Sequence, residues 1–315
     1  MIDLSDFLRA KLNLTGIIKK TSLDISANFS RIYGGNVYLK PENLQKTGSF
    51  KIRGAFNCIC QMSPEEKAKG IIAFSAGNHA QGVAYAAAQM DCKAVIVMPE
   101  AAPEAKVRAT EDYGARVIKC GGPTENRVKK VKELIKEHGY TLVHPFDDKD
   151  VIAGQGTIGL EILEEMPELE AVVVPVSGGG LISGIATVIK KIKPEVTVYG
   201  VQPENSNAVY KSFNNKKICS CDNPDTVADA LIAQKPGKLP FELILKYVDD
   251  IITVSEKEII DSCLLLAERA KLVVEPGGAV ALSAVINKKI DSYQNVVSVL
   301  SGGNVDIKQW IRLIN

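Results

Sequence analysis

Eight short apolar runs, separated by stretches of helical patterning, dominate this chain from residue 71 to residue 300. They are IIAF from 71, AVIVMP from 94, ARVIK from 115 and YTLVH from 140, then AVVVPV from 171, VTVYGV from 196, DIITV from 250 and NVVSVL from 295. Unbroken apolar runs of this length are what strands buried on both faces require, and parallel strands joined by helices are buried in that way. Helices are expected near 79–90, 103–112 and 125–138, each long enough to serve as a parallel crossover. The spacing therefore predicts an α/β chain with two open, mostly parallel sheets.

One further strand is expected ahead of the first series, at Val37–Lys40. Joined to the sheet of the second series, it makes 67–146 a smaller lobe inserted in a larger one built from 1–66 and 147–315. A chain of 315 residues has room for both, since it exceeds one typical domain. Residues 4–14 read as an amphipathic helix, and Ser63 with Glu66 as a capping box. DDKDVIAGQGTIGLEILEEM, from 147, reads as a helix reached through a glycine-rich loop.

Lys and Arg number 38 against 37 Asp and Glu, which leaves no basic field for nucleic acid or acidic lipid and points to a small-molecule partner. No apolar run approaches the roughly 20 residues of a membrane span, so a soluble, cytoplasmic protein is expected. The 7 cysteines, an odd number without a signal peptide, fit reduced thiols. None of the 3 histidines stands at ligand spacing from Cys58, Cys60, Cys219 or Cys221, so no metal site is expected.

In open α/β sheets ligands sit outside the carboxyl ends of the strands, and four loops follow strands here. Ser75-Ala76-Gly77-Asn78-His79 opens a helix; its small residues and free N–H groups suit a substrate carboxylate, and Asn78 offers a donor and an acceptor to a ring hydroxyl. The plainer alternative is a turn capped by Asn78. In Ser177-Gly178-Gly179-Gly180-Leu181, three successive glycines let the backbone approach an anion at a helix N-terminus, so a phosphate is the natural guest. No GK[ST] follows, which excludes a Walker loop, and a ligand-free turn is the alternative. Ser301-Gly302-Gly303-Asn304 places a hydroxyl able to hydrogen-bond a heteroaromatic nitrogen. Glu275, before Pro276-Gly277-Gly278-Ala279, reads first as a helix-start charge.

These loops change the meaning of TGSFKIRGAF, residues 47–56. Ser49 is expected as an N-cap, which puts Lys51 in the first turn of a helix, where the macrodipole opposes a cation and favours the neutral amine. A neutral amine is a nucleophile. Alone, such a lysine is ordinarily a solvated surface charge.

Through PENLQKTGSFKIRGAFN, SAGNHAQGVA, GQGTIGLEI, VSGGGLISGIA, TVADA, YVDDI, EPGGA and LSGGN, the chain resembles, over essentially its whole length, the threonine dehydratase and serine racemase group of fold type II pyridoxal-phosphate enzymes. That likeness, nearest to the single-domain catabolic dehydratases, implies a tryptophan synthase β-like fold, pyridoxal 5'-phosphate as cofactor and a homodimer. It implies β-elimination of L-threonine, and also of L-serine, to 2-oxobutanoate or pyruvate plus ammonia. By the same likeness Lys51 holds the cofactor as a Schiff base and, once released, is the general base. Phe50 packs beside the ring, Asn78 meets the ring hydroxyl, and Ser177, Gly178, Gly179, Gly180 and Leu181 hold the phosphate. Ser301 meets the pyridine nitrogen, and Ser75, Ala76, Gly77, Asn78 and His79 face the substrate.

Four departures refine the expectation. Racemases of the group carry a second serine, the opposite-face base, where this chain has Ala76, so elimination is expected over racemisation. The racemase divalent-cation positions fall on Gln202 and Ala208, which argues against a divalent ion there. Ala230 stands where the group has a glycine near the ring. Only a short segment follows Ser301, so no C-terminal regulatory domain is expected. The alternatives are a 3-hydroxyaspartate ammonia-lyase or a serine racemase and, from other classes, a binding protein with a dead site or a nicotinamide-dependent oxidoreductase.

Overall fold

The computed structural model describes residues 2–314. Among these, ten strands are found: Asp24–Ile25 (β1), Asn36–Pro41 (β2), Ile71–Phe74 (β3), Ala94–Pro99 (β4), Arg116–Cys120 (β5), Thr141–Leu142 (β6), Ala171–Pro175 (β7), Thr197–Pro203 (β8), Asp250–Val254 (β9) and Asn295–Leu300 (β10). One sheet has the order β1-β2-β10-β7-β8-β9 and the other β5-β4-β3-β6. Only β1 runs antiparallel to its neighbour; the remaining pairs are parallel. All eight runs are strands, and the early strand lies in the six-stranded sheet, with Asn36 opposite Asn295 and Pro41 opposite Leu300. The four-stranded sheet is thus built entirely from chain that lies between β2 and β7.

Burial on both faces explains why the runs are unbroken. Ala171 and Val173 of β7 enter one apolar core with Val280 and Ala284 of the Pro276–Ile286 helix. Their neighbours Val172 and Val174 enter another, with Ile182 and Ile185 of the Gly180–Ile192 helix. In the smaller sheet Ile96 and Val97 of β4 divide in the same way between two clusters. Alternate residues of a strand point to opposite faces, so both sets must be apolar. The Leu4–Leu14 helix and the Ser63–Glu66 capping box form as expected. Among the described residues, no helix is long and apolar enough to cross a membrane.

The glycines of GQGTIG are a correction. They lie inside one helix, Lys149–Glu165, entered not through a glycine loop but through Asp148, whose carboxylate accepts from the N–H groups of Asp150 and Val151. The reason is close helix packing. A Cβ on Gly154 would sit 2.3 Å from Arg53 O, one on Gly156 2.3 Å from the Phe7 ring, and one on Gly159 3.2 Å from Ile185 O. Because the obstacle at Gly154 is backbone, Gly154→Ala is expected to cost about 1–3 kcal/mol by overpacking, read as a lower midpoint in urea unfolding.

Sheet order also gathers the loops. β2, β10 and β7 are adjacent and parallel, so their carboxyl ends open side by side onto the segments that lead to Lys51, to Ser301 and to Ser177–Leu181. In the smaller sheet β3 neighbours β6, which sets Ser75–His79 beside residues 143–147.

Candidate active site

Lys51 opens the Lys51–Gln61 helix. Ser49 before it is extended, as a cap residue should be, but its hydroxyl makes no cap bond and is buried without a partner, against expectation. Backbone pairing with the turn after β10 holds the segment instead: Phe50 N–H donates to Ser301 O (3.1 Å), and Gly303 N–H to Gly48 O (2.9 Å). The Lys51 amine donates to Pro145 O at 2.7 Å and lies 5.1 Å from the centre of the Phe50 ring. The residue is partly buried, and its amine is surrounded by protein. That burial pulls the amine down to about 8, with the Glu275 carboxylate opposing the shift. The neutral amine, negligible for an ordinary lysine at pH 7, is therefore a minor but significant fraction, roughly a tenth.

Phe50 packs in one apolar cluster with Val176 and Leu181, which brings Lys51 to the glycine loop. Gly179 has φ +96°, a left-handed value that glycine adopts without strain. A Cβ on Gly178 would fall 2.5 Å from the Phe146 ring, and one on Gly180 2.9 Å from Phe146 Cβ. Ser177 Oγ accepts from Ala233 N–H. Ser183 N–H to Gly179 O is the first bond of the Gly180–Ile192 helix, so the N–H groups of Gly180, Leu181 and Ile182 precede its ladder and face outward from its start.

Asn78 begins the Asn78–Gln89 helix and is more committed than its sequence suggests. Its Nδ2 donates to Glu275 Oε1 (2.5 Å), and its Oδ1 accepts from Asn304 Nδ2 (2.8 Å). One of its two N–H groups and one of its two oxygen lone pairs are thus already used within the protein. Ser75 Oγ accepts from Gly77 N–H, Ala76 packs on the apolar cluster of the smaller sheet, and a Cβ on Gly77 would meet open space. His79 turns away from that space: it is buried, its Nε2 is 2.9 Å from Val143 O, and burial drives it down to about 3, which keeps the ring neutral.

Glu275, which by sequence reads as a helix-start charge, is 4% exposed and makes no cap bond to its own helix. Burial, helped by Asp229, pushes its carboxyl up to about 7. A Cβ on Gly302 would touch Glu275 Oε1 (2.4 Å), Asn78 Nδ2 (3.0 Å) and Ser49 Cβ (3.1 Å), so this glycine marks where three segments meet. Sequence reasoning also missed Pro145 and Phe146, which carry no motif, and Asn304, read only as the end of a turn. Ala230 stands against the EPGG turn, where a Cβ on Gly277 would lie 3.1 Å from its methyl. Gln202 is fully buried with its amide bonded to Tyr210 N–H and Val176 O. A cavity of about 350 Å³ adjoins the site through Asn304 and Pro276, and the Lys106–Asp229 ion pair (2.8 Å) lies at its wall.

These groups fit pyridoxal phosphate. A lysine amine pulled down to about 8, with a backbone carbonyl as its hydrogen-bond partner, suits an aldehyde, helix-start N–H groups suit a phosphate, and the Ser49 hydroxyl is buried without a partner. The family described as Pyridoxal-phosphate dependent enzyme matches residues 14–302. L-threonine ammonia-lyase of Thermotoga maritima is 48% identical over 315 residues, all of this chain and 79% of that protein. The catabolic L-threonine dehydratase TdcB of Escherichia coli is 44% identical over 311 residues, 98% of this chain and 94% of that protein. The solved structure of maize serine racemase superposes with a TM-score of 0.96 at 35% identity, covering 99% of this chain and 96% of that one. By sequence, by fold and by the groups gathered around Lys51, this chain belongs to the pyridoxal-phosphate dependent enzyme family.

Proposed function

We propose that this chain eliminates water from L-threonine, and also from L-serine, releasing 2-oxobutanoate or pyruvate and ammonia. The observation that carries the reading is Lys51: a buried amine, bonded to a backbone carbonyl, at the meeting point of three strand-end loops. The resemblance of the motifs and the names of the similar proteins support the choice of substrate.

When bound, pyridoxal phosphate supplies an electron sink for carbanion chemistry at the substrate α-carbon. Lys51 holds the cofactor, and its freed Nζ accepts the α-proton, a role that a depressed amine suits at neutral pH. The N–H groups of Gly180, Leu181 and Ile182, with Ser177 to Gly179, bind the phosphate. Ser301 would meet the pyridine nitrogen without supplying a full charge, Phe50 would lie against the ring, and Asn78 would donate to the ring oxygen. At the start of the Asn78–Gln89 helix, free N–H groups hold the substrate carboxylate, with Ser75, Ala76, Gly77 and the His79 backbone forming the turn. The same reading assigns 1–66 and 147–315 to the cofactor-binding lobe and 67–146 to the smaller one. It also includes a homodimer and a cytoplasmic location.

Purified protein loaded with cofactor is expected to form keto acid from threonine, measured as the hydrazone; no keto acid from threonine or serine overturns the proposal. Ala76 argues against racemisation, because no hydroxyl stands there to protonate the opposite face. Ala76→Ser is expected to gain racemisation of serine, read by chiral chromatography.

A further inference from the structure

A chain of hydrogen bonds runs beside Lys51 and is closed at both ends by groups that only accept. At one end is the Thr47 carbonyl, which accepts from Asn304 Nδ2 at 2.7 Å. The second N–H of the same amide donates to Asn78 Oδ1 at 2.8 Å. From Asn78 the chain continues through Nδ2 to Glu275 Oε1 at 2.5 Å. A backbone carbonyl and a carboxylate both lack a proton to give, so every amide between them has one allowed orientation. Reversing Asn78 would turn its carbonyl oxygen toward the Glu275 carboxylate and its NH2 toward that of Asn304.

Glu275 is placed for this and for little else. It occupies the N-cap position of the Pro276–Ile286 helix, yet its side chain makes no cap bond and reaches across to Asn78. Its backbone is fixed by donation to Gly302 O at 3.1 Å, and Gly302 has no side chain that could obstruct the contact. An N-cap carboxylate ordinarily stabilises its own helix, and here that contribution is given up for a bond to a neighbouring loop.

We propose that Glu275 is a positioning residue which, through Asn78 and with Asn304 at the far end, fixes the remaining Asn78 N–H as the donor offered to the cofactor's ring oxygen. The inference rests on the assignment of Asn78 to that oxygen. It makes the arrangement dependent on the ionisation of Glu275. The charged and titratable groups that face this carboxyl are Asp229 from the Asp229–Leu231 turn, Lys106 from the Glu104–Glu111 helix, Lys51, and Cys263 from the Glu256–Leu265 helix. Burial raises it to about 7, so it is ionised above that pH and carries a proton below it. Once protonated it has an O–H to donate and no longer demands a donor from Asn78, so the amide is held in its orientation from the Asn304 end alone.

The test reads cofactor affinity and absorption of the holoenzyme rather than turnover. Glu275→Ala is expected to weaken cofactor binding by about tenfold or more and to shift the visible band. Glu275→Gln retains an oxygen that accepts from Asn78 and is expected to hold affinity within about threefold, while the spectral change expected across pH 7 in the wild type is expected to disappear. Asn304→Ser breaks the chain at the other end without touching Glu275 and is expected to resemble Glu275→Ala; it decides the matter if Glu275→Ala does not fold. An unchanged spectrum and affinity in Glu275→Ala, or in Asn304→Ser, overturns the inference, as does a wild-type protein that takes up no cofactor. Should the shifts appear in a protein that releases no keto acid from threonine or serine, the substrate assignment falls and the role of Glu275 stands.

Discussion

Lys51→Ala abolishes keto-acid release from threonine, with an expected loss of about ten-thousandfold or more, because one substitution removes both the covalent anchor of the cofactor and the α-proton base. Keto-acid assay on matched amounts of folded protein checks it, and a variant that keeps a tenth of the activity would exclude Lys51 from both roles. Stability should move the other way. A buried amine whose hydrogen bond goes to the Pro145 carbonyl costs desolvation without the return of an ion pair, so the melting temperature of apo Lys51→Ala is expected to equal or exceed that of the wild type. Lys51→Arg keeps the positive charge but is also expected to be inactive, since a guanidinium does not give up its proton. pH supplies a further check in the unaltered chain. The Lys51 amine is depressed to about 8, and only the neutral form attacks an aldehyde, so uptake of the cofactor by the apoprotein should accelerate as pH rises through that value. A rate that is flat with pH would mean that the burial around Lys51 does not control its ionisation.

The parts of this site that sequence makes legible are those that follow directly from strand ends. Strands β2, β10 and β7 are recognisable apolar runs, each is followed by small or polar residues, and a parallel sheet sends every such loop to the same edge. The sequence alone therefore places Lys51, Ser301 and the three glycines at one edge. Glu275 resisted this reasoning because a glutamate before Pro-Gly-Gly looks like any helix start, and only the fold shows that its carboxylate leaves its own helix for Asn78. Ser49 misled in the opposite sense. Its spacing is that of a cap, while pairing of its backbone with Gly302 fixes the turn and leaves the hydroxyl free. The glycines at 154, 156 and 159 were read as loop-formers, the usual local meaning, when their purpose is to let the 51–61, 149–165 and 180–192 helices and Phe7 approach closely. Local pattern does not carry such long-range contacts.

Least legible of all was the cluster behind Lys51, and it yields the largest expected effect on stability. Arg53 is completely buried two residues beyond Lys51. All five of its N–H groups are used: Nε and Nη2 grip the Glu42 carboxylate (2.8 Å each), Nη1 and Nη2 grip Glu161 (2.7 and 2.9 Å), and Nη1 also reaches Thr157 Oγ1 at 3.2 Å. Lys40, at the end of β2, donates to Glu161 at 2.7 Å and to the Thr21 carbonyl. Two cations thus balance two carboxylates in a region closed to water, joining the 51–61 helix to β2 and to the Lys149–Glu165 helix. Removing Arg53 leaves Glu42 and Glu161 buried with Lys40 as the remaining cation, so Arg53→Ala is expected to cost about 3–5 kcal/mol. Arg53→Lys should recover little of this, because an ammonium cannot form two forked carboxylate pairs at once. Burial by itself raises the Glu161 carboxyl, but Arg53 and Lys40 outweigh it and hold the group below its ordinary 4.5. Its contribution is therefore present above that ordinary value and is lost as pH falls through the lowered one. In Arg53→Ala the larger of the two opposing influences is gone, and acid unfolding is expected to begin at a higher pH than in the wild type. Denaturant unfolding at neutral pH and a pH series of melting temperatures measure both effects; a loss under about 1 kcal/mol would mean the cluster behaves as an exposed pair and does not anchor the turn that presents Lys51.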